Sequence, residues 1–316
     1  MSKLISIIVP VYNEKENILS IYDELVKALR EIEEKYDYEI IFVNDGSIDG
    51  SGGIIDRLTE ENEKIKHLEF SRNFNKEVAT SAGLHYSSGN AVIVIDADLQ
   101  HPPSLIPEFV RKWEGGNDMV VGLRKTNKGE GMIKKTGSFF FYKIMNVIGQ
   151  TKIMPYSTDF RLVDRKVVDE FNRLTEKNRI TRGLMDWLGF KKEYVCFDAG
   201  ERKSGKSTYG NFKLVKLAFS SFITHSLFPL KLAGYLGIVI TFFSGLLASF
   251  MIVEKFVFND ILKMNFSPLA FLAVMILFLI GIVLVCLGLI TLYIANIHGE
   301  VLNRPMYIIK KKKNLE

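Results

Sequence analysis

The stretch VIVIDADLQHPP, residues 92–103, carries an abrupt change of character. With Ala91 before it, five apolar residues run directly into Asp96, Ala97 and Asp98. A continuous run of β-branched residues is the pattern of a strand buried on both faces. Two carboxylates at i and i+2 share one side if the extended conformation persists. They repel each other, and each is costly to take out of water. A strand that ends this way predicts a positive partner beside it.

Outward from this stretch, apolar runs alternate with amphipathic segments. Strands are predicted at residues 4–9, 39–43, 65–70, 91–95, 118–122 and 193–197. Helices are predicted near residues 15–35, 50–63 and 76–87. Val/Ile-rich runs separated by helices point to an α/β fold, a mainly parallel sheet with helices on both faces. Ligands of such sheets bind beyond the carboxyl ends of the strands. Three polar clusters stand at those ends: Pro10 to Glu14, Asn44 to Ser47, and Asp96 to Asp98. They are predicted to converge on one acid-lined crevice. Hard divalent cations prefer oxygen ligands and often pair one or two carboxylates with substrate phosphates. Asp96 and Asp98, with Gln100 continuing the spacing, are candidate ligands for Mg²⁺ or Mn²⁺. Ser47 and Asp49 are read as caps of the helix that follows.

The 316 residues divide sharply near residue 226. Before it, charged and apolar residues mix as in a globular enzyme. After it, residues 232–253 and 268–297 carry no Asp, Glu, Lys or Arg over 22 and 30 positions. About 20 apolar residues suffice to cross a bilayer core as a helix, so a transmembrane hairpin is expected, with spans at about 230–254 and 268–297. The first residues do not read as a signal peptide, because their apolar run is short and enters a motif. The two cysteines, Cys196 and Cys286, suggest no disulfide framework. Of the net charge of +5, much flanks the hairpin: Arg202, Lys203, Lys206, Lys213, Lys216 and Lys231 precede it, and Arg304 and Lys310 to Lys313 follow. The connector carries Glu254, Lys255, Asp260 and Lys263, which cancel. The positive-inside rule then puts the N-terminal domain and both termini in the cytoplasm, at the cell membrane. The lysine tract at the end reads as a solvated or lipid-facing tail. Residues 211–228 read as an amphipathic interfacial helix or linker. Nucleic acid is not an expected partner, since no recognition motif accompanies the charge.

Six motifs in register resemble one family. IIVPVYNEKENI (residues 7–18), VNDGSIDGS (43–51) and DADLQHPP (96–103) look like the GT-A glycosyltransferases of family 2. STDFRLVDRKVV (157–168), RKSGKSTYG (202–210) and GLITLYIANIHGEVLNRPMYII (288–309) resemble the bacterial two-span polyprenyl-phosphate branch, more distantly related to dolichol-phosphate mannose synthase. The resemblance covers essentially the whole chain. It implies a GT-A catalytic domain over residues 1–210 and a membrane domain over 229–316 with a basic cytosolic tail.

The resemblance also implies roles. Pro10, Tyr12, Glu14, Val43 and Asp45 would hold the nucleotide's base and ribose, and Asp96 and Ala97 would complete that pocket. Asp98 and Gln100 would hold the metal with Asp96. Arg124 would meet phosphate, a task suited to a planar guanidinium, and Arg161 is assigned with it to the acceptor phosphate. Asp159 is placed beside the acceptor; a structural salt bridge to Arg161 is the alternative. An acceptor phosphate needs little general-base help, so Asp159 is expected to orient it or to stabilise charge on the sugar. Arg202 and Lys206 would close over the diphosphate. The family loop reads Arg-x-x-Gly-x-Ser-Lys, but Thr208 stands at the lysine position here, and Lys206 lies two residues earlier.

The activity implied is an inverting transfer of a hexose from a nucleotide-sugar to a polyprenyl phosphate, with undecaprenyl phosphate as the expected acceptor. UDP-glucose is favoured as donor, then UDP-N-acetylglucosamine, then GDP-mannose. Relatives imply a homo-oligomer, a tetramer. The rivals are a processive polysaccharide synthase and an inactive membrane scaffold or partner of a lipid-sugar flippase. The synthase motif Gln-x-x-Arg-Trp is absent, since Gln150 is followed by Thr-Lys-Ile-Met. The intact acidic set argues against the scaffold.

Overall fold

The structure, a computed structural model, describes residues 3–125, 154, 156–177, 179–198 and 296–315, with scattered positions between 269 and 294. The chain divides into two compact units. One is residues 1–213 together with 304–316, and the other is residues 214–303.

The first unit is built on an eight-stranded sheet, ordered β7-β5-β6-β4-β1-β2-β3-β8. Its first half alternates strand and helix, as the apolar runs predict: β1 (Lys3–Val11), α1 (Ile18–Arg30), β2 (Tyr36–Asn44), α2 (Ser51–Glu61), β3 (Ile65–Phe70), α3 (Lys76–Tyr86) and β4 (Ala91–Val94). These four strands are mutually parallel where they pair, with β1 between β2 and β4. A 3₁₀ turn, α4 (Ile106–Glu114) and β5 (Met119–Arg124) follow, then β6 (Ser157–Asp164), α5 (Arg165–Arg173), α6 (Thr181–Trp187), β7 (Lys192–Phe197) and β8 (Ile309–Lys313). The sheet is mostly parallel but mixed. Strand β6 enters antiparallel between β4 and β5, and β8 lies antiparallel on β3.

Strands β1 to β6 each feed two cores. In β1, Ile5, Ile7, Val9 and Val11 face one layer, where α1 and α4 supply Ile21, Leu25, Phe109 and Trp113. Ile8 faces the other, where Ala79 and Ala82 of α3 and Phe171 of α5 pack. This two-sided burial explains the continuous apolar runs. Close approach of α3 to β1 depends on Gly83: a Cβ there would lie 2.4 Å from Cγ2 of Ile8. That contact sets the height at which the start of α3 meets the ends of the strands.

The end of the chain corrects the sequence reading. Lys310 to Lys313 are not a solvated or lipid-facing tail. Residues Ile309–Lys313 form β8, closing the open edge beside β3. That edge is acidic and receives the lysines individually: Lys310 reaches Glu69 at 2.6 Å, Lys311 reaches Asp56 at 2.6 Å, and Lys313 reaches Glu60 at 2.8 Å. Tyr307 stacks on Phe70 with ring centroids 5.0 Å apart. Asn314 Nδ2 donates to the carbonyls of Thr59 and Ile65. An unpaired strand edge is a template for aggregation, and covering it with a lysine-rich strand removes the hazard.

The expected span at 230–254 lies outside the described residues, as does most of 268–297. Among the described residues, no helix is long and apolar enough to cross a membrane. The described positions from Leu269 to Val301 are helical. Leu272, Ile276, Leu279, Val283, Ile290, Ile294 and Ile297, spaced mostly by three or four, are exposed.

Candidate active site

The three polar clusters do meet. Strands β4, β1 and β2 lie side by side and parallel, so the segments after Val94, Val11 and Asn44 leave the sheet at one edge. Backbone and side chains lace the first two loops together. Asn13 N donates to Ser47 Oγ (3.0 Å), Ile48 N to Asn13 Oδ1 (3.0 Å) and Lys15 N to Asp49 Oδ2 (3.0 Å). This geometry corrects the cap reading of Ser47 and Asp49: the N-cap of α2 is Gly50 with no side-chain cap bond, Asp49 Oδ1 takes the Ser51 N–H from one residue earlier (3.0 Å), and Ser47 turns to the Asn13 amide. Gly46 turns the second loop with φ +68°, where a Cβ would sit 2.4 Å from the Arg72 backbone. Only glycine fits there.

Around this double loop stand the expected donor-pocket residues. Tyr12 is exposed at the rim, Pro10 is half-buried, and Val43 is buried. Glu14 accepts from Asn17 Nδ2 at 2.6 Å. Asp45 is buried, and its Oδ1 accepts the Phe74 N–H at 2.6 Å. Burial pushes the Asp45 carboxyl up to about 6, against the opposing pull of the Phe74 and Asn75 amides.

The Asp96 segment answers the question posed by its sequence. Asp159 follows the register in which Val94 pairs with Arg161, so Asp96 and Asp159 end neighbouring antiparallel strands on the same face. The positive partner between them is Lys76, the first residue of α3. Its Nζ lies 2.6 Å from Asp96 Oδ1 and 3.0 Å from Asp159 Oδ2. Burial works against the ammonium, but the two carboxylates outweigh it and raise its pKa. Asp159 is further held by Arg182 of α6, with Nη2 and Nε at 3.0 and 3.2 Å from its Oδ1. Burial alone would raise the Asp159 pKa; Lys76, Arg182 and Arg161 instead hold it far below the usual range.

Arg161 does not pair with Asp159, which corrects the alternative salt-bridge reading. It is buried, donating through Nη2 to the Thr158 carbonyl (3.0 Å) and lying 3.6 Å from Met185 Sδ through Nη1. Residues at i and i+2 share a face but point in parallel, so Asp159 meets cations from α3 and α6 instead. Lys76, Asp159, Arg161, Thr181 and Arg182 line one small cavity. The Oγ of Thr181 is buried there without a partner.

His101 is buried against Phe160 and takes the Asp96 N–H on Nδ1 at 3.4 Å. Burial lowers its pKa, so the ring is neutral and its 3.7 Å approach to Asp96 is not an ion pair. Ala97 and Asp98 are buried, and Asp98 Oδ1 accepts the Gln100 N–H at 3.1 Å. Leu99 between them has φ +60°, a strained conformation for a non-glycine residue and one that clusters at functional sites. Asp96, Asp98 and Gln100 form an all-oxygen donor set, which fits Mg²⁺ or Mn²⁺. Among the described residues, no three His, Cys, Asp or Glu side chains gather as a metal cage. Such a site would complete its shell with substrate phosphates and water, as Mg²⁺ sites do. Arg124 ends β5 with its Nε buried and without a partner. Arg202 and Lys206 lie outside the described residues.

Sequence reasoning missed Lys76 and Arg182. Their only signal was position: each stands at the start of a helix, and Lys76 follows β3 after the five-residue loop SRNFN, residues 71–75.

The family described as Glycosyl transferase family 2 matches residues 6–171. The bactoprenol glucosyl transferase derived from the SfII prophage of Shigella flexneri is 40% identical over 97% of this chain and 97% of its own. A prophage bactoprenol glucosyl transferase homolog of Escherichia coli is 37% identical over 98% of this chain and 99% of its own. The uncharacterized glycosyltransferase YkcC of Bacillus subtilis is 42% identical over 98% of this chain and 94% of its own. Among solved structures, the mannosyltransferase PcManGT of Pyrobaculum calidifontis matches with a TM-score of 0.44 and 16% identity, over 91% of this chain and 88% of that one.

Proposed function

The chain belongs to glycosyltransferase family 2, and from that premise we propose that it transfers a hexose, glucose first, from a UDP-sugar to undecaprenyl phosphate. The carrying observation is the crevice itself. Asp45, Asp96 and Asp98 share one sheet edge with the Lys76–Asp159–Arg182 cluster, in a chain 40% identical over 97% of its length to a bactoprenol glucosyl transferase.

In this reading Pro10, Tyr12, Glu14, Val43, Asp45 and Ala97 hold the nucleotide. Asp98, Gln100 and Asp96 would hold Mg²⁺ or Mn²⁺, which supplies positive charge to the diphosphate. Arg124 meets the acceptor phosphate, and Arg161 supports it from the cavity wall. A phosphate oxygen of the acceptor attacks the anomeric carbon, the bond to the nucleoside diphosphate breaks, and the configuration inverts. The acceptor oxygen is already ionised, so no residue need take a proton. Asp159, kept ionised by its cations, stabilises the positive charge that develops on the sugar. Arg202 and Lys206 close over the departing diphosphate. The catalytic domain over residues 1–210 is rejoined after the membrane segment by β8, and residues 211–228 and the spans at about 230–254 and 268–297 lie between its two parts. The protein sits in the cytoplasmic membrane as a homo-oligomer, and the exposed apolar helical positions between 272 and 297 suit lipid contact.

The test is sugar transfer by the purified protein in detergent, with undecaprenyl phosphate and a panel of radiolabelled nucleotide-sugars. Label should enter a solvent-extractable lipid, fastest from UDP-glucose. Label in a polymer would favour a processive synthase, and none in any product would favour a scaffold.

A further inference from the structure

Lys76 occupies a position that the transfer reaction does not explain. Among the described residues it is the one Lys or Arg within 4.0 Å of the Asp96 carboxylate. Asp159, by contrast, keeps Arg182 whether or not Lys76 stays. A purely structural brace would be redundant at this point. The start of α3 is already fixed by Glu77, whose Oε2 accepts the Thr181 N–H at 2.8 Å. The helix is also fixed by the close packing of Gly83 on Ile8. The lysine side chain is 42% exposed although its ammonium lies between two carboxylates. It is an unbranched, flexible arm rather than a wedge in the core.

We propose that Lys76 is a resident cation that competes with the donor's divalent metal ion for Asp96, and so acts as a positioning residue for the transfer site. The proposal rests on the reading that Asp96 and Asp98 hold such an ion. Asp96, Asp98 and Asp159 bring three negative charges to adjoining strand ends. With no donor bound, Lys76 pairs with both Asp96 and Asp159 and offsets the repulsion between these carboxylates. An ion at Asp96 makes that service unnecessary and would repel the ammonium. Lys76 then keeps Asp159 as its partner, at the mouth of the cavity where Thr181 Oγ has none. A second cation placed next to a divalent ion lowers that ion's affinity by simple Coulomb repulsion. The ion therefore binds weakly alone and well with its negatively charged donor, which restores the charge balance.

The experiment measures Mn²⁺ binding directly, by the electron paramagnetic resonance signal of free Mn²⁺, on the full chain in detergent without any nucleotide. Lys76→Met should tighten Mn²⁺ binding by roughly tenfold or more, from loss of one repelling charge. Lys76→Arg, which keeps the charge, should stay within about twofold of wild type. Asp98→Asn should abolish binding in every background. Unchanged or weaker binding by a folded Lys76→Met protein overturns the proposal while leaving the metal reading intact. Equal tightening in Lys76→Arg also overturns it, because charge would not be the cause. No binding by wild type and by Lys76→Met alike overturns both. Should Lys76→Met not fold, Lys76→Gln replaces it, and failure of both to fold makes Lys76 a structural brace and ends the proposal.

Discussion

At the scale of single residues, function and stability pull in opposite directions in the crevice. Asp98→Asn removes a ligand charge but can keep the hydrogen bond from Gln100 N, since an amide oxygen also accepts. Transfer should fall at least about a hundredfold, the cost typical of losing one transition-state charge stabiliser, with an unchanged melting temperature. Retention of activity would exclude Asp98 from the chemistry. Asp45 gives the complementary case. Its carboxyl is raised by burial from the usual 3.8 to about 6, so the folded protein binds the proton more tightly than the unfolded chain. The contribution of Asp45 to stability therefore declines as pH rises from about 4 to 6, and above that range ionised Asp45 is a standing cost. Asp45→Asn should raise the melting temperature at pH 7.5 more than at pH 4, while weakening binding of the nucleotide-sugar. An equal effect at both pH values would show that the buried charge costs nothing. The acid half of this site was legible in the sequence, because carboxylates at the end of an apolar strand violate the cost of desolvation. The cationic half was not. Lys76 reaches Asp159 across 83 positions and Arg182 reaches it across 23, and only the folded topology brings them together.

At the scale of elements, the strands that sequence reading missed are those whose pattern is governed by pairing rather than by burial on both faces. Strand β6 reads STDFRLVD, in which Asp159 and Arg161 interrupt the apolar alternation because that face looks into the site rather than the core. Strand β8 reads IKKKK and has no apolar signal beyond Ile309. It is a strand because the edge of β3 offers both hydrogen bonds and acids. The network under it is testable through pH. Burial opposes the charge on Asp56, but hydrogen bonds from Lys311 and His67 prevail and lower its pKa to about 2. Burial also lowers His67 below its ordinary 6.5. In both groups the unfolded chain binds its proton first as pH falls. Stability is therefore lost from about 6.5 downward through His67, and from about 4 toward 2 through Asp56. Because Asp56 is only partly buried, solvent screening keeps its share modest. Asp56→Asn should lower the melting temperature at pH 7, and its curve should approach wild type as the pH falls from about 4 and meet it only near pH 2. Parallel curves throughout would show that Asp56 does not hold β8 through its charge.

At the scale of the whole molecule, β8 constrains topology in a way that charge counting alone does not. Residues before the expected hairpin form β1 to β7, and residues after it add β8 to the same sheet. A sheet cannot be shared across a bilayer, so the chain between Phe197 and Ile309 must cross a membrane an even number of times or not at all. Two spans satisfy this; one span does not. The positive-inside rule then chooses the side, since the basic residues flank the hairpin and the connector is neutral. Cysteines placed singly at Asn259 in the connector and at exposed Arg304 after the hairpin separate these statements, once Cys196 and Cys286 have been replaced. An impermeant thiol reagent added to intact cells should label the Asn259→Cys protein and spare the Arg304→Cys protein. Permeabilised cells should label both. Labelling of Arg304→Cys alone in intact cells would keep the even crossing but invert the protein, putting the catalytic crevice on the side away from cytoplasmic nucleotide-sugars. Protection of both until permeabilisation would mean that the connector does not cross, and that the two apolar segments lie within or against the membrane without spanning it.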